Sequence, residues 1–168
     1  DTRAYVLDQL TLGLTPRATW KATRPVQFTL TDTGLQDADI HLTGNLGQAE
    51  LVGPLGARGT VDAHVRMTKF ALDTLAELAP GSAGGLAGVM DMDLTLSGLA
   101  SNPSGTALWK IDGLWVEDTT RWLDVEGKFE LDNGQLNSTL RMGVAGTLLA
   151  HATGTLPLHS DLSDPKLN

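Results

Sequence analysis

The chain has 168 residues, a formal net charge of -8 and no cysteine. That length suits one domain with a real core, and the acidic excess argues against a nucleic-acid surface, which needs basic residues to neutralise phosphates. Disulfides and cysteine metal sites are excluded, and no stretch approaches the roughly 18 apolar residues of a membrane-spanning helix.

Ala4 to Leu14 reads as a first strand, with Leu10, Leu12 and Leu14 on one face, broken by Thr15-Pro16. Ala18, Trp20 and Ala22 alternate next, up to Arg24-Pro25. Val26, Phe28 and Leu30 follow, then turn signals at Asp32 and Gly34. Ala38, Ile40 and Leu42 alternate with Asp39, His41 and Thr43. Ala49 and Leu51 make a short strand that Gly53-Pro54 stops. Ala57 to Met67 is a long alternation, with Val61, Ala63, Val65 and Met67 against Asp62, His64, Arg66 and Thr68.

The period changes once. Leu72, Leu75, Ala76 and Ala79 lie at helical spacing and Pro80-Gly81 closes the run. At about two turns such a helix needs a sheet to pack on. Met90, Met92, Leu94 and Leu96 then alternate with Asp91, Asp93, Thr95 and Ser97. Gly98 ends that strand, and Leu99 to Ser104 connects it, through the Asn102-Pro103 turn signal, to Ala107, Trp109 and Ile111. Leu123, Val125, Phe129 and Leu131 come next. Asp132-Asn133-Gly134 is a hairpin signal, answered by Leu136, Leu140 and Met142. A last strand spans Thr147 to Leu156.

About a dozen one-faced strands at this spacing make an all-β protein; parallel α/β sheets would show continuous apolar runs instead. A sandwich, a barrel and an open curved sheet all give this alternation. Residues 1–160 read as a single β-rich domain, 161–168 as a linker or tail, and the whole as a piece of a longer chain.

No catalytic constellation emerges. Asp91-Met92-Asp93-Leu94-Thr95 resembles the nucleophile motif of haloacid-dehalogenase-like phosphatases, but that motif needs a strand end followed by a helix. Here both aspartates fall early in a continuing strand, on its wet face. As a calcium loop the stretch lacks the glycine and the closing acid. His41, His64, His151 and His159 never pair at metal-ligand spacing and lie on wet faces or near the end. Asn137-Ser138-Thr139 matches a glycosylation sequon inside a strand. Trp115 and Trp122 flank a turn, whereas Trp109 shares the inward row with Ala107 and Ile111. The expectation is no enzyme, no cofactor and no metal.

The inward rows are instead long and apolar, with aromatics only 5% of the chain to fill a thick core. They collect Ile40, Leu42, Leu51, Val61, Val65, Met67, Met90, Met92, Leu94, Leu96, Trp109, Ile111, Val125, Phe129, Leu131, Leu140 and Met142. A sheet curled into a trough with this lining would suit acyl chains, which need only burial, about 0.8 kcal/mol per CH₂. A β-sandwich would hide the same rows in its core.

A resemblance bears on the choice. Leu72-Asp73-Thr74-Leu75 to Pro80, then Leu86-Ala87-Gly88, Leu94-Thr95-Leu96-Ser97-Gly98, Asn102-Pro103 and Gly105, with Trp20, Ala22 and Pro25 upstream, resemble a recurring unit of the TamB and AsmA-like family, bacterial relatives of bridge-like lipid transfer proteins. The resemblance runs weakly from about Ala18 to Leu156 and rests on structural glycines and prolines. It implies a curled β-taco sheet in the periplasmic region of an inner-membrane-anchored protein of a Gram-negative-type bacterium. It further implies an Omp85-type, TamA-like outer-membrane barrel as partner, with phospholipid acyl chains or nascent outer-membrane β-strands in the groove. The associated roles are phospholipid movement between membranes, and outer-membrane protein assembly with autotransporter secretion. A chaperone-like module that captures strands by β-augmentation, without lipid, is the alternative.

Overall fold

A computed structural model describes residues 2–15, 18–56, 58–76, 86–116 and 122–157. The strands are β1 (Arg3–Leu7), β2 (Thr11–Thr15), β3 (Ala18–Ala22), β4 (Val26–Thr31), β5 (Gly34–Gly44), β6 (Gly47–Gly56) and β7 (Thr60–Ala71). A helix, α1 (Leu72–Ala76), precedes β8 (Leu86–Leu99), β9 (Asn102–Val116), β10 (Leu123–Asp132), β11 (Gln135–Val144) and β12 (Thr147–Pro157).

All twelve strands join one antiparallel sheet that does not close into a barrel. From β5 to β12 the chain meanders, each strand pairing with the next. The strands form one continuous hydrogen-bonded sheet rather than the two separate sheets of a sandwich. At the other end, β3 and β4 share one edge of β5, at Leu42–Gly44 and at Gly34–Asp39 respectively. The first strand expected over 4–14 is likewise two pieces, β1 on β4 and β2 on β3.

Two further boundaries differ from the sequence reading. Gly53-Pro54 does not stop β6, which runs on to Gly56. Pairing with β7 ends at Val52, so the proline's missing N–H costs that ladder nothing. Asn102-Pro103 is not a turn either: Leu99 pairs with Asn102, Gly98 pairs with Pro103, and Ala100-Ser101 makes the reversal. The helix begins at Leu72, the first residue at helical spacing, and Phe70 just before it still pairs with Met90 as strand. Residues 77–85, which hold the end of the expected helix, its Pro80-Gly81 stop and part of the connection after it, lie outside the described residues, as do His159 and the expected tail.

The strands bend along a common line. Register shifts fall between Met67 and Phe70, between Ala87 and Val89, between Leu123 and Val125, and between Met142 and Gly143. Each bulge bends its strand, and their alignment beside the row Met90–Ile111–Val125–Met142 makes a crease across β7 to β12. Lys69, Gly88 and Gly113 adopt positive φ at this crease, 54°, 140° and 62°. Two glycines there cost little; Lys69 carries a side chain in a conformation that disfavours one.

Asp91 supports that strained residue. Its Oδ1 accepts the Lys69 backbone N–H at 2.7 Å, a donor that the bulge takes out of the ladder. Asp124 does the same for the Gly113 N–H at 3.3 Å. The Lys69 bond holds the Asp91 carboxyl below its ordinary value of 3.8; partial burial opposes this, and the Lys110 ammonium adds to the lowering. A folded-state pKa below the unfolded one means that the stabilisation is complete above the unfolded value. It is lost as pH falls through the lowered one.

Replacement Asp91→Ala should therefore destabilise the protein by about 1–2 kcal/mol at neutral pH, the loss of one charged hydrogen bond. The difference from the parent should shrink as pH drops below 3.8. Urea denaturation across this range measures it, and an equal difference at neutral and strongly acid pH would contradict the role.

Candidate functional site

Cross-strand partners point to the same face of a sheet, so the register defines each face without further assumption. One row runs Ile40–Leu51–Val65–Leu94–Ala107–Phe129. A second runs Leu42–Ala49–Met67–Met92–Trp109–Gly127–Leu140–Ala152. A third runs Phe70–Met90–Ile111–Val125–Met142–Ala150. A fourth joins Ala63, Leu96, Gly105, Leu131, Leu136 and Leu156, and Val61 pairs with Gly98 beside it. All seventeen residues expected to line a groove thus fall on one face, and the rows join them across eight strands.

Among the described residues, little covers this face. Apart from α1, which packs on β8, the strands contact chiefly their ladder neighbours. Besides Pro103, only ten apolar residues are buried among the described residues, and no polar one is. Two plugs account for seven of the ten. Ala18, Leu46, Phe70 and Leu72 form one, with Trp20, Met67, Met90 and Ile111 against it. There the Trp20 and Phe70 rings meet at 5.9 Å, although β3 and β7 are separated by β5 and β6. Flat spacing would put these strands about 14 Å apart; the side chains lean together over the tip of the β5–β6 hairpin, where Leu46 is fully buried. The second plug is Val61 and Ala63 under Ala100, with Leu51 and Leu96 beside them. Val61 and Leu42 are sealed in, at 1% and 9% exposure. Val65, Met92, Leu94 and Trp109 are half-buried, and Phe129 and Leu140 are exposed.

The opposite face is charged and self-satisfied. Asp39 takes both Arg24 and His41, and His41 Nδ1 lies 3.3 Å from Glu50. His64 meets Asp93 at 2.9 Å. Lys110 bridges Asp91 and Asp112, Lys128 meets Glu130 and Arg141 meets Glu126. A depression of about 480 Å³ lies among Arg66, Asp91, Lys110, Glu126, Lys128 and Arg141. Each of its cations has a carboxylate partner (Arg66 reaches Asp93 at 3.9 Å), so no free charge is left there to hold an ionic ligand. The two aspartates of the phosphatase-like motif sit here in mid-strand, one supporting a bulge and the other paired to His64. His151 pairs in register with Arg141 on the same side. Asn137 of the sequon accepts from Thr155.

Gly127 was not legible as a site residue, although the signal was present. It interrupts the apolar alternation of β10 between Val125 and Phe129, and a lone glycine inside a strand marks a close approach. The approaching group is its ladder partner Trp109. Trp115 is half-buried and Trp122 exposed.

The fold and face define a class, the single-layer curled β protein with one apolar and one charged side. No family model matches the chain, and neither the curated proteins nor the solved structures hold a significant match to it.

An apolar face that is open in the folded state predicts a simple behaviour. Nile red, which is uncharged and unaffected by the acidic surface, should bind the native protein with blue-shifted emission and be released on unfolding. Emission that rises only through the melting transition would show the face to be closed.

Proposed function

We propose that this chain is a segment of a lipid-conducting, TamB-like protein, offering its apolar face to phospholipid acyl chains between two membranes. One observation carries the reading: among the described residues, four cross-strand rows made mostly of aliphatic and aromatic residues, with Gly105 and Gly127 in two of them, share one face of a single sheet. Covering such a face is worth roughly 25 cal/mol for each Å² taken from water, so it favours an apolar occupant. The paired charges on the reverse face leave that occupant only one side to choose. An acyl chain fits because the face offers dispersion contacts and almost no polar partner; Ser138, the polar residue in register with Phe129, gives its hydroxyl to the Gly154 carbonyl.

In this reading the protein is not an enzyme, works in the periplasm of a Gram-negative-type bacterium and meets an Omp85-type barrel at the outer membrane. A second reading, a strand-capturing assembly module, draws on a different observation. β12 is the outer strand of the sheet, eleven residues long and exposed throughout, and it carries no Asp, Glu, Lys or Arg. Such an edge accepts another strand.

The lipid reading is tested by replacing Leu94, which lies mid-row between Val65 and Ala107. Leu94→Asp should leave a folded protein, destabilised by about 1–2 kcal/mol through lost packing, that no longer cross-links to lipid and releases none to mass spectrometry. Thr95→Asp, on the charged face, is the matched control and should bind as the parent does. A folded Leu94→Asp protein that takes up lipid normally would eliminate the conduit at this position.

A further inference from the structure

The two ends of the sheet are finished differently. A strand edge with free N–H and C=O groups is a template for another strand, and proteins blunt it with short strands, charges, bulges or a cover. One end follows that rule: the sheet stops there in two five-residue strands, β1 on β4 and β2 on β3. The other end stops at β12, eleven residues long, exposed throughout and, among the described residues, paired only with β11. It carries no Asp, Glu, Lys or Arg, although the chain as a whole holds a net charge of -8. A register shift leaves Leu149 unpaired near its start, and Pro157 closes it. Between them Ala150 to Leu156 pair one for one with Met142 to Leu136, so their outward N–H and C=O groups form a regular ladder with no guard on it.

We propose that this edge takes the β12 of a second copy, antiparallel and about a two-fold axis at Thr153, to make a closed dimer. In that register Thr153 faces its own counterpart, His151 faces Thr155, Ala152 faces Gly154 and Ala150 faces Leu156. No like charges meet, a condition that an acidic chain can meet against itself only along an uncharged strand. Threonine opposite threonine is a favourable cross-strand pair, and on the apolar side alanine stands opposite glycine or leucine, so no two large side chains collide. Facing residues share a face, so the apolar faces of the two copies fall on the same side. The rows that end at Ala150, Ala152 and Leu156 then run on into the second copy. A two-fold contact uses each copy's β12 once and therefore closes. The sequence after β12 offers no equal partner for the edge: it carries Asp161, Asp164 and a second proline, Pro165, which has no N–H to give a ladder. The dimer does not rest on the lipid reading.

Sedimentation of the intact chain tests it. At about 100 μM, where a contact of micromolar Kd is formed, the parent should be a dimer and nothing larger. Thr153→Lys sets two ammonium groups opposite each other at the axis. Thr153 lies on the charged side, in the row of Lys128 and Thr139, so circular dichroism should match the parent while the dimer is lost. Cross-linking reads the register without depending on that variant. The chain has no cysteine of its own, and Thr153→Cys places two thiols directly opposite each other, so mild oxidation should give a covalent dimer. In His151→Cys the two thiols would lie about 13 Å apart along the strands, beyond disulfide reach, and that chain should run as a monomer on a denaturing gel. A parent that sediments as a monomer overturns the proposal, even if it takes up an added strand peptide. So does a series of larger species, a folded Thr153→Lys protein that still dimerises, or cross-linking no more efficient through Thr153→Cys than through His151→Cys.

Discussion

A slip of one residue in any ladder from β5 to β12 would turn that strand's apolar side chains to the charged face. The alternation is strict enough that such a slip would place Met92, Leu94 and Leu96 among Arg66, Lys110 and Lys128. Two devices hold the register. Short reversals fix it at the strand ends: Asn133 and Gly134 both have positive φ, as do Ala145 and Gly146, the backbone that two-residue hairpins require. Opposite charges then face each other along the ladders, Glu50 with Arg66, Asp91 with Lys110 and Glu126 with Arg141. Each exposed pair contributes little stability, and a one-residue slip would set each of these charges against an apolar side chain instead of its partner.

Given two fixed faces, curvature decides what the apolar one can do. A flat sheet of this width would expose its whole apolar side. The line of bulges beside Met90, Ile111, Val125 and Met142 bends the strands at one height, and the chain supports that crease with carboxylates rather than with glycine alone. Asp91 and Asp124 stand on the charged face yet satisfy backbone donors that the bend releases. The charged face thus shapes the apolar one. Burial follows the same division of labour: the Phe70–Leu72–Leu46 plug and the Val61–Ala63–Ala100 plug are closed, while Val65, Met92, Leu94 and Trp109 between them keep partial access. Stability rests on the plugs and ladders, which leaves the intervening surface free for another role.

Much of this was legible in the sequence. Period-two alternation identified most of the strands and assigned the seventeen expected inward residues to one face, because that assignment depends only on local chemistry. Layering was not legible, since a sandwich and a single sheet alternate alike; it is fixed by which strand ends meet, as when Trp20 leans onto Phe70 across two strands. Strand ends were less legible wherever glycine and proline intervene. Pro54 and Pro103 sit in strands because their neighbours on one side stop short of them. Asp91 looked like a bystander on a wet face, and its role appears only once the bulge at Lys69 is located. Gly127 had a local signal, a gap in the apolar alternation, whose meaning depends on which residue stands opposite.

Whether the apolar rows are reachable in the folded protein can be measured cleanly, because the chain has no cysteine. Single replacements Leu94→Cys and Thr95→Cys place a thiol on each face of β8, and Ala63→Cys places one beneath Ala100. Labelling by a small uncharged maleimide under native conditions should proceed for the first two at rates well above that of global unfolding, and for the third only as fast as the protein unfolds. If the thiol of the Leu94→Cys variant were as protected as that of the Ala63→Cys variant, the apolar face would be an ordinary closed core, and the central claim would be wrong.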